Sequence, residues 1–247
     1  MDNLNLSKRL MDIAGYVPRD TKVADIGSDH ALLPAYLVKN QISKFVIAGE
    51  VNDGPFQTAL GFVQSLNLSE FISVRKGNGL EVIDENEVDV ITIAGMGGAL
   101  IATILDQGQI KLTNIQRLVL QPNVGEAILR EWLQEHDWGI IDEDILEENE
   151  KIYEIIVAEK AKASESTIST SDLTMDELLK IGPVLWQKKS PILIKKWERE
   201  KKKIDIILKQ IENSRSEQEE KKEALLKEKQ WIEKVIQCMQ KDKQSSN

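Results

Sequence analysis

Five short apolar runs punctuate the first 160 residues: "KVADIG" (22–27), "KFVIAGE" (44–50), "FISVRK" (71–76), "VDVITIAG" (88–95) and "QRLVLQP" (116–122). Helix-like segments lie among them at 31–40, 53–66, 97–106 and 124–136. Strands that read as continuous Val/Ile/Leu runs are buried on both faces, and helices between them can cover those faces. The alternation therefore predicts a mostly parallel sheet, doubly wound. The rhythm then breaks. "WGIIDEDILEENEKIYEIIVAEK" (138–160) contains two strand-like runs joined by "EENE", with no helix between. This reads as a β-hairpin, an antiparallel pair at one sheet edge.

The second half has another character. "AKASESTISTSD" (161–172) is small and polar, as a linker is. After Pro191, Leu193, Trp197, Ile204, Leu208 and Ile211 recur at helical spacing, and Leu225, Ile232, Ile236 and Met239 repeat the pattern. "NSRSEQ" (213–218) separates the two runs, with Ser216 as a candidate helix cap. An antiparallel, coiled-coil-like helical hairpin is expected. The domain reading is 1–160 sheet domain, 161–190 linker and short helix, 191–247 hairpin.

Charge follows the same division. Residues 1–160 carry a net charge of −13 and residues 161–247 a net of +4. Within 186–209 there are nine basic and three acidic residues. An acidic domain with a basic arm suits a phosphate-bearing partner, although a lysine-rich helix is also an ordinary solvated helix. Cys238 is the single cysteine, which excludes an internal disulfide and a cysteine-rich zinc site, and no metal is expected. The first fifteen residues lack the apolar core of a signal peptide. The uncharged run 90–105 is too short and glycine-rich for a membrane span. A cytoplasmic protein is expected.

Ligands of an open parallel sheet bind outside the carboxyl ends of its strands. Strand one delivers "DIGSDH", with Asp25, Gly27, Ser28, Asp29 and His30. The dinucleotide fingerprint G-x-G-x-x-G is absent, which argues against a nicotinamide-dependent oxidoreductase. Strand two delivers Glu50, then Val51 and Asn52. A carboxylate there can accept hydrogen bonds from both ribose hydroxyls. Strand three leads to Gly77, Asn78 and Gly79, where an amide offers a donor and an acceptor to the edge of an adenine. Strand four ends in Ala94, Gly95, Met96, Gly97 and Gly98, a turn open enough for a flat ligand. Strand five ends in "QPN" (121–123), where Gln121 and Asn123 can read an adenine edge or bind the far end of a cofactor. In this order the features describe the S-adenosylmethionine pocket of a Rossmann-like class I methyltransferase, whose sheet closes with an antiparallel last strand.

"VADIGSDHALLP", "AGEVNDGP", "GNGLEVI", "ITIAGMGGALIATIL" and "LVLQPN" together resemble the bacterial TrmK family, over nearly the whole chain. Members are S-adenosylmethionine-dependent methyltransferases acting on N1 of adenine at position 22 of tRNA. The resemblance implies cofactor contacts at Asp25, Gly27, Asp29, His30, Glu50, Asn78 and the Ala94–Gly98 turn, with Val51, Asn52, Gly77 and Gly79 beside them. Asp29 and Asn123 are the candidate catalytic residues. Asp29 would stabilise the positive charge that develops on the methylated ring, or it orders the turn and binds cofactor. The resemblance supports tRNA binding by the tail without fixing contacts. The candidates are Arg9 in "LSKRL", which could instead cover the pocket, and Lys188, Lys189, Lys195, Lys196, Arg199, Lys201, Lys202 and Lys203. Two other readings remain: a non-catalytic RNA-binding scaffold, and a methyltransferase with a different RNA target. A helical hairpin folds back within one chain or pairs between two, and a monomer is the expectation carried forward.

Overall fold

The computed structural model describes residues 4, 6–160, 173–212 and 219–244. The expected linker at 161–172 and the expected turn at 213–218, with Ser216 as its candidate cap, fall outside the described residues. Contacts divide the chain into two units, Met1–Val184 and Leu185–Asn247.

The first unit is built on seven strands: β1 (Thr21–Ile26), β2 (Ser43–Glu50), β3 (Ile72–Lys76), β4 (Val90–Met96), β5 (Arg117–Pro122), β6 (Trp138–Glu148) and β7 (Lys151–Lys160). Their order is β3-β2-β1-β4-β5-β7-β6. The first five are parallel, and β7 enters antiparallel between β5 and β6. The expected hairpin is thus present at the sheet edge. Its loop is tighter than "EENE": Glu148 pairs with Lys151, and Asn149 and Glu150 both take positive φ, the signature of a two-residue turn whose twist matches the strands.

Helices α1 (Lys8–Gly15), α2 (Leu32–Lys39), α3 (Asp53–Ser65), α4 (Gly98–Gln107) and α5 (Glu126–Glu135) cover the sheet. Alternate strand residues point to opposite faces. Ala24, Ile26, Ile91 and Ile93 pack with Ile101 and Leu105 of α4 and Leu129 and Leu133 of α5. Val23, Val90 and Val119 pack with Ile13 of α1 and Leu33 and Leu37 of α2. This is why the parallel strands read as unbroken apolar runs. Helix α1 is begun by Ser7, whose hydroxyl accepts from the Leu10 N–H.

Helix α6 (Met175–Ile181) opens with a Thr174–Glu177 capping box, and α7 (Pro183–Lys188) follows it. A linker and short helix are expected from the sequence over 161–190, whereas residues 173–184 belong with the sheet unit. A buried ion cluster holds them. Arg130 of α5, fully buried, donates through Nε to Glu143 (2.7 Å) and through Nη2 to Glu154 (2.6 Å). Its Nη1 reaches the Leu179 carbonyl, and Glu143 accepts the Val184 N–H at 2.8 Å. Burial pushes the Glu143 carboxyl above its ordinary range, against the pull of the Arg130 guanidinium.

In the second unit, α8 (Pro191–Glu212) and α9 (Glu219–Gln244) pack as an antiparallel pair. Lys201 meets Glu233 and Asp205 meets Lys229, pairs whose order runs opposite along the two helices. Leu193, Trp197, Ile204 and Leu208 are buried, as are Ile232, Val235, Ile236 and Met239. Trp197 meets Trp231 edge to face at 5.1 Å. Ile211 and Leu225, expected in the same stripes, are only partly buried. Among the described residues, no helix is long and apolar enough to cross a membrane.

Removing one partner of a buried ion cluster leaves the others unpaired. Arg130→Met should therefore cost about 3–5 kcal/mol in urea unfolding. A loss below about 1 kcal/mol would show that the cluster does not hold this region together.

Candidate active site

The site is assembled from the carboxyl ends of β1 to β5. At the end of β1, the Gly27 and Ser28 N–H groups both donate to the Gly49 carbonyl, at 2.9 and 3.2 Å. The chain then takes positive φ at Gly27, Asp29, His30 and Ala31. Three consecutive non-glycine residues in this region carry a strain of about 1–3 kcal/mol each, and such strain gathers at functional sites. Asp29 and His30 thus replace the glycines of a dinucleotide turn in side chain while keeping a glycine-like backbone. A Cβ at Gly27 would lie 2.2 Å from Met96 Cε, so the Met96 side chain crosses directly over this turn.

Two carboxylates set the turn. Glu50, at the tip of β2, is buried and accepts the Asp29 N–H through Oε1 at 2.6 Å. Its own carbonyl accepts the Gly77 N–H at 3.0 Å, which ties in the end of β3. Burial raises the Glu50 carboxyl above its ordinary pKa, opposed by the Asp29 N–H. Asp25 lies beneath the turn, 4% exposed. Its oxygens accept the hydroxyls of Thr92, its register partner on β4 (2.6 Å), and Ser28 (2.7 Å). Burial pushes Asp25 up to about 6, against those two hydrogen bonds.

The β4 and β5 ends form the opposite wall. Gly95 sits at a bulge in the β4–β5 pairing. Its N–H donates to Gln121 Oε1 (3.1 Å), which also accepts Arg9 Nη1 at 2.5 Å. Asn123 spans the gap: its N–H donates to the Met96 carbonyl and its Nδ2 to the Gly95 carbonyl, both at 2.7 Å. Arg9 therefore lies at the β4–β5 end, with its guanidinium 5.4 Å from the Tyr153 ring centroid.

The structure brings Gly27, Asp29, His30, Glu50, Gly77, Asn78 and the Ala94–Gly97 turn to one sheet edge. Asp29 and His30 side chains are 85% and 51% exposed and meet at 3.3 Å. Val51, Asn52 and Asn78 are exposed beside Glu50. Of the basic candidates, Arg9 is at this edge; those from Lys188 to Lys203 belong to the other unit. Sequence reasoning missed Ser28 and Thr92 as supports of Asp25, and Met96 as the side chain over Gly27. The Thr92 hydrogen bond follows from strand register, which sequence does not show.

The family model for tRNA (adenine(22)-N(1))-methyltransferase, TrmK, matches residues 23–235. The chain belongs to the TrmK family. It is 45% identical over 221 residues to the tRNA (adenine(22)-N(1))-methyltransferase of Bacillus subtilis (strain 168), an alignment covering 90% of this chain and 92% of that one. The crystal structure of the Bacillus subtilis TrmK tRNA methyltransferase is similar at a TM-score of 0.86 and 44% identity, covering 95% of this chain and all of that one. A Streptococcus pneumoniae relative solved in complex with S-adenosyl-L-methionine gives a TM-score of 0.82 at 41% identity, covering 94% of this chain and 100% of that chain.

The residues present in this TrmK fold fit that cofactor: a backbone free of a Cβ at Gly27, a carboxylate at the β2 tip, and the flexible Met96 thioether as an adaptable wall. Among the described residues no cluster of three or more metal-ligating side chains occurs.

Because its folded pKa is raised, Asp25 gains a proton on folding between about pH 4 and about 6, so stability falls as pH rises through that window. Asp25→Asn should raise the stability of the free protein at about pH 7.5 by about 1–3 kcal/mol, with the gain shrinking below about pH 6. A gain that is absent, or that grows toward low pH, would contradict the assignment.

Proposed function

We propose that this chain transfers a methyl group from S-adenosylmethionine to N1 of adenine 22 in tRNA, as a cytoplasmic enzyme. The observation that carries this reading is Glu50. It is a buried carboxylate at the β2 tip, with Oε1 committed to the Asp29 N–H and Oε2 without a donor among the described residues. That is the group a ribose diol requires at this point of a doubly wound sheet. When bound, the cofactor supplies an electrophilic methyl group on a sulfonium.

The chain's own residues align and stabilise. Gly27 leaves room for the Met96 side chain that walls the site, and Asn78 stands where an adenine edge is read. N1 of adenine holds a free lone pair at neutral pH, so attack needs no general base and alignment supplies most of the acceleration. The product ring is cationic. Asp29, with its carboxylate exposed at the mouth, stabilises the developing charge. Asn123 is a positioning residue, since its amide holds the β4 turn. The target base must leave its pair or stack to reach this edge.

The acidic sheet unit repels RNA, so binding falls to the basic helix. On α8, Lys195, Arg199, Lys202 and Lys203 lie, by helical spacing, on the side away from the buried Leu193–Trp197–Ile204–Leu208 stripe, while Lys196 flanks the stripe with its ammonium 5.7 Å from the Trp197 ring centroid. Lys201 lies beside that stripe and pairs with Glu233. Lys188 and Lys189 precede the helix.

A tRNA transcript incubated with the enzyme and S-adenosylmethionine should give a primer-extension stop at adenine 22. Absence of that stop, with cofactor bound, would overturn the proposed target. Asp29→Asn should lower turnover about tenfold or more while leaving cofactor affinity within about twofold. Unchanged turnover would remove Asp29 from the mechanism. Replacing Lys195, Arg199, Lys202 and Lys203 by Gln should weaken tRNA binding and flatten its dependence on salt, by roughly one unit of log–log slope for each phosphate no longer neutralised. An unaltered slope would exclude this face as the RNA-binding surface.

A further inference from the structure

Three large apolar side chains stand exposed around the ends of β4 and β5: Leu100 (52%) in the first turn of α4, Val124 (67%) in the turn after β5, and Ile128 (48%) in the first turn of α5. Polar caps and acids usually occupy such positions at helix starts. The core does not use these side chains, and their exposure costs solubility without adding stability.

A close crossing of two turns sets Val124 and Ile128 beside the start of α4, the helix that carries Leu100. The Gly98 N–H donates to the Val124 carbonyl at 2.8 Å, and a Cβ on Gly98 would lie 2.1 Å from the Gly125 carbonyl oxygen. Only glycine permits that approach. Val124 Cγ2 reaches to 3.9 Å from the Cβ position of Gly97, and Ile128 Cδ1 to 3.7 Å from that of Gly125. Val124 directly follows Asn123, which is bonded to Gly95 and Met96. The apolar group is therefore continuous with the wall of the proposed methyl-transfer site and is fixed to it through backbone hydrogen bonds.

We propose that Leu100, Val124 and Ile128 form a ledge that takes the face of the unpaired acceptor adenine. This inference rests on the reading of the site as one that methylates a base in tRNA. A base drawn out of its stack exposes both apolar faces to water, and an apolar surface beside the reacting atoms covers part of that area again. An aliphatic ledge meets the ring face without engaging its edge, so N1 stays open to attack. The ledge acts on the base alone, in contrast to the phosphate-binding role proposed for α8.

The test uses the full-length enzyme and a tRNA transcript, with Val124→Asp and Ile128→Ser as disruptive variants and Val124→Ile as the conservative one. The disruptive variants should lower kcat/KM for tRNA about tenfold or more, while S-adenosylmethionine affinity and the unfolding midpoint stay at the wild-type value. The salt slope of tRNA binding should not change, because the number of neutralised phosphates stays the same. Val124→Ile should retain wild-type activity. Methyl transfer within about twofold of wild type in the disruptive variants would overturn the ledge while leaving the proposed function intact. So would a loss explained by weaker cofactor binding, by unfolding or by a change in oligomeric state. Wild-type enzyme that binds cofactor but methylates no tRNA would instead overturn the function reading on which the ledge rests.

Discussion

The geometry of the site depends on one carboxylate. Glu50 accepts the Asp29 N–H through its side chain and the Gly77 N–H through its carbonyl, so the turns after β1 and β3 are both fixed to the tip of β2. The turn after β1 is strained, with positive φ at three non-glycine residues in succession. It needs such an anchor to persist. Beneath it Asp25 holds Ser28 and Thr92, a second anchor that requires burying a carboxylate. Strain and a buried charge are both unfavourable to folding. Their concentration at one sheet edge is what marks that edge as the site.

The rest of the first unit supports this edge. Gln121 and Asn123 fix the β4 bulge from the β5 side, and Arg9 joins them from α1. At the hairpin end, the Arg130–Glu143–Glu154 cluster secures residues 173–184, the segment that leads into the helical unit. In the proposed function the two units have different electrostatic tasks. A sheet unit rich in carboxylates suits a cationic sulfonium and a product ring that becomes cationic. The basic face of α8 suits a polyanion.

Much of the fold is legible in the sequence, because the central parallel strands, buried on both faces, announce themselves as apolar runs. All five parallel strands and the hairpin lie within two residues of where the runs place them. Helix α1 is not legible, being only eight residues long and preceded by no strand that would set the alternating rhythm. The Arg130 cluster is hidden because its members look like surface charges, and only three-dimensional packing reveals that Glu143 and Glu154 turn inward. The sequence reading of 161–190 as a linker and short helix holds nothing local to show that the Leu179 carbonyl and Val184 N–H bind the sheet unit. At the site, the sequence supplies the residues and their order along the strand ends. It cannot supply the link between Glu50 and Asp29, which are 21 positions apart. Nor can it show Asp25 beneath the turn, or Met96 over Gly27.

The central claim is that Glu50 both anchors the turn and receives the nucleoside of the cofactor. Calorimetric titration of S-adenosylmethionine into wild-type protein and into Glu50→Ala tests it most directly. The account predicts one site in the wild type, and an affinity at least about a hundredfold weaker in a variant that remains folded, since the substitution removes a charge-assisted hydrogen bond together with the order of the turn. Equal affinity in the two proteins, or no binding to the wild type, would contradict it.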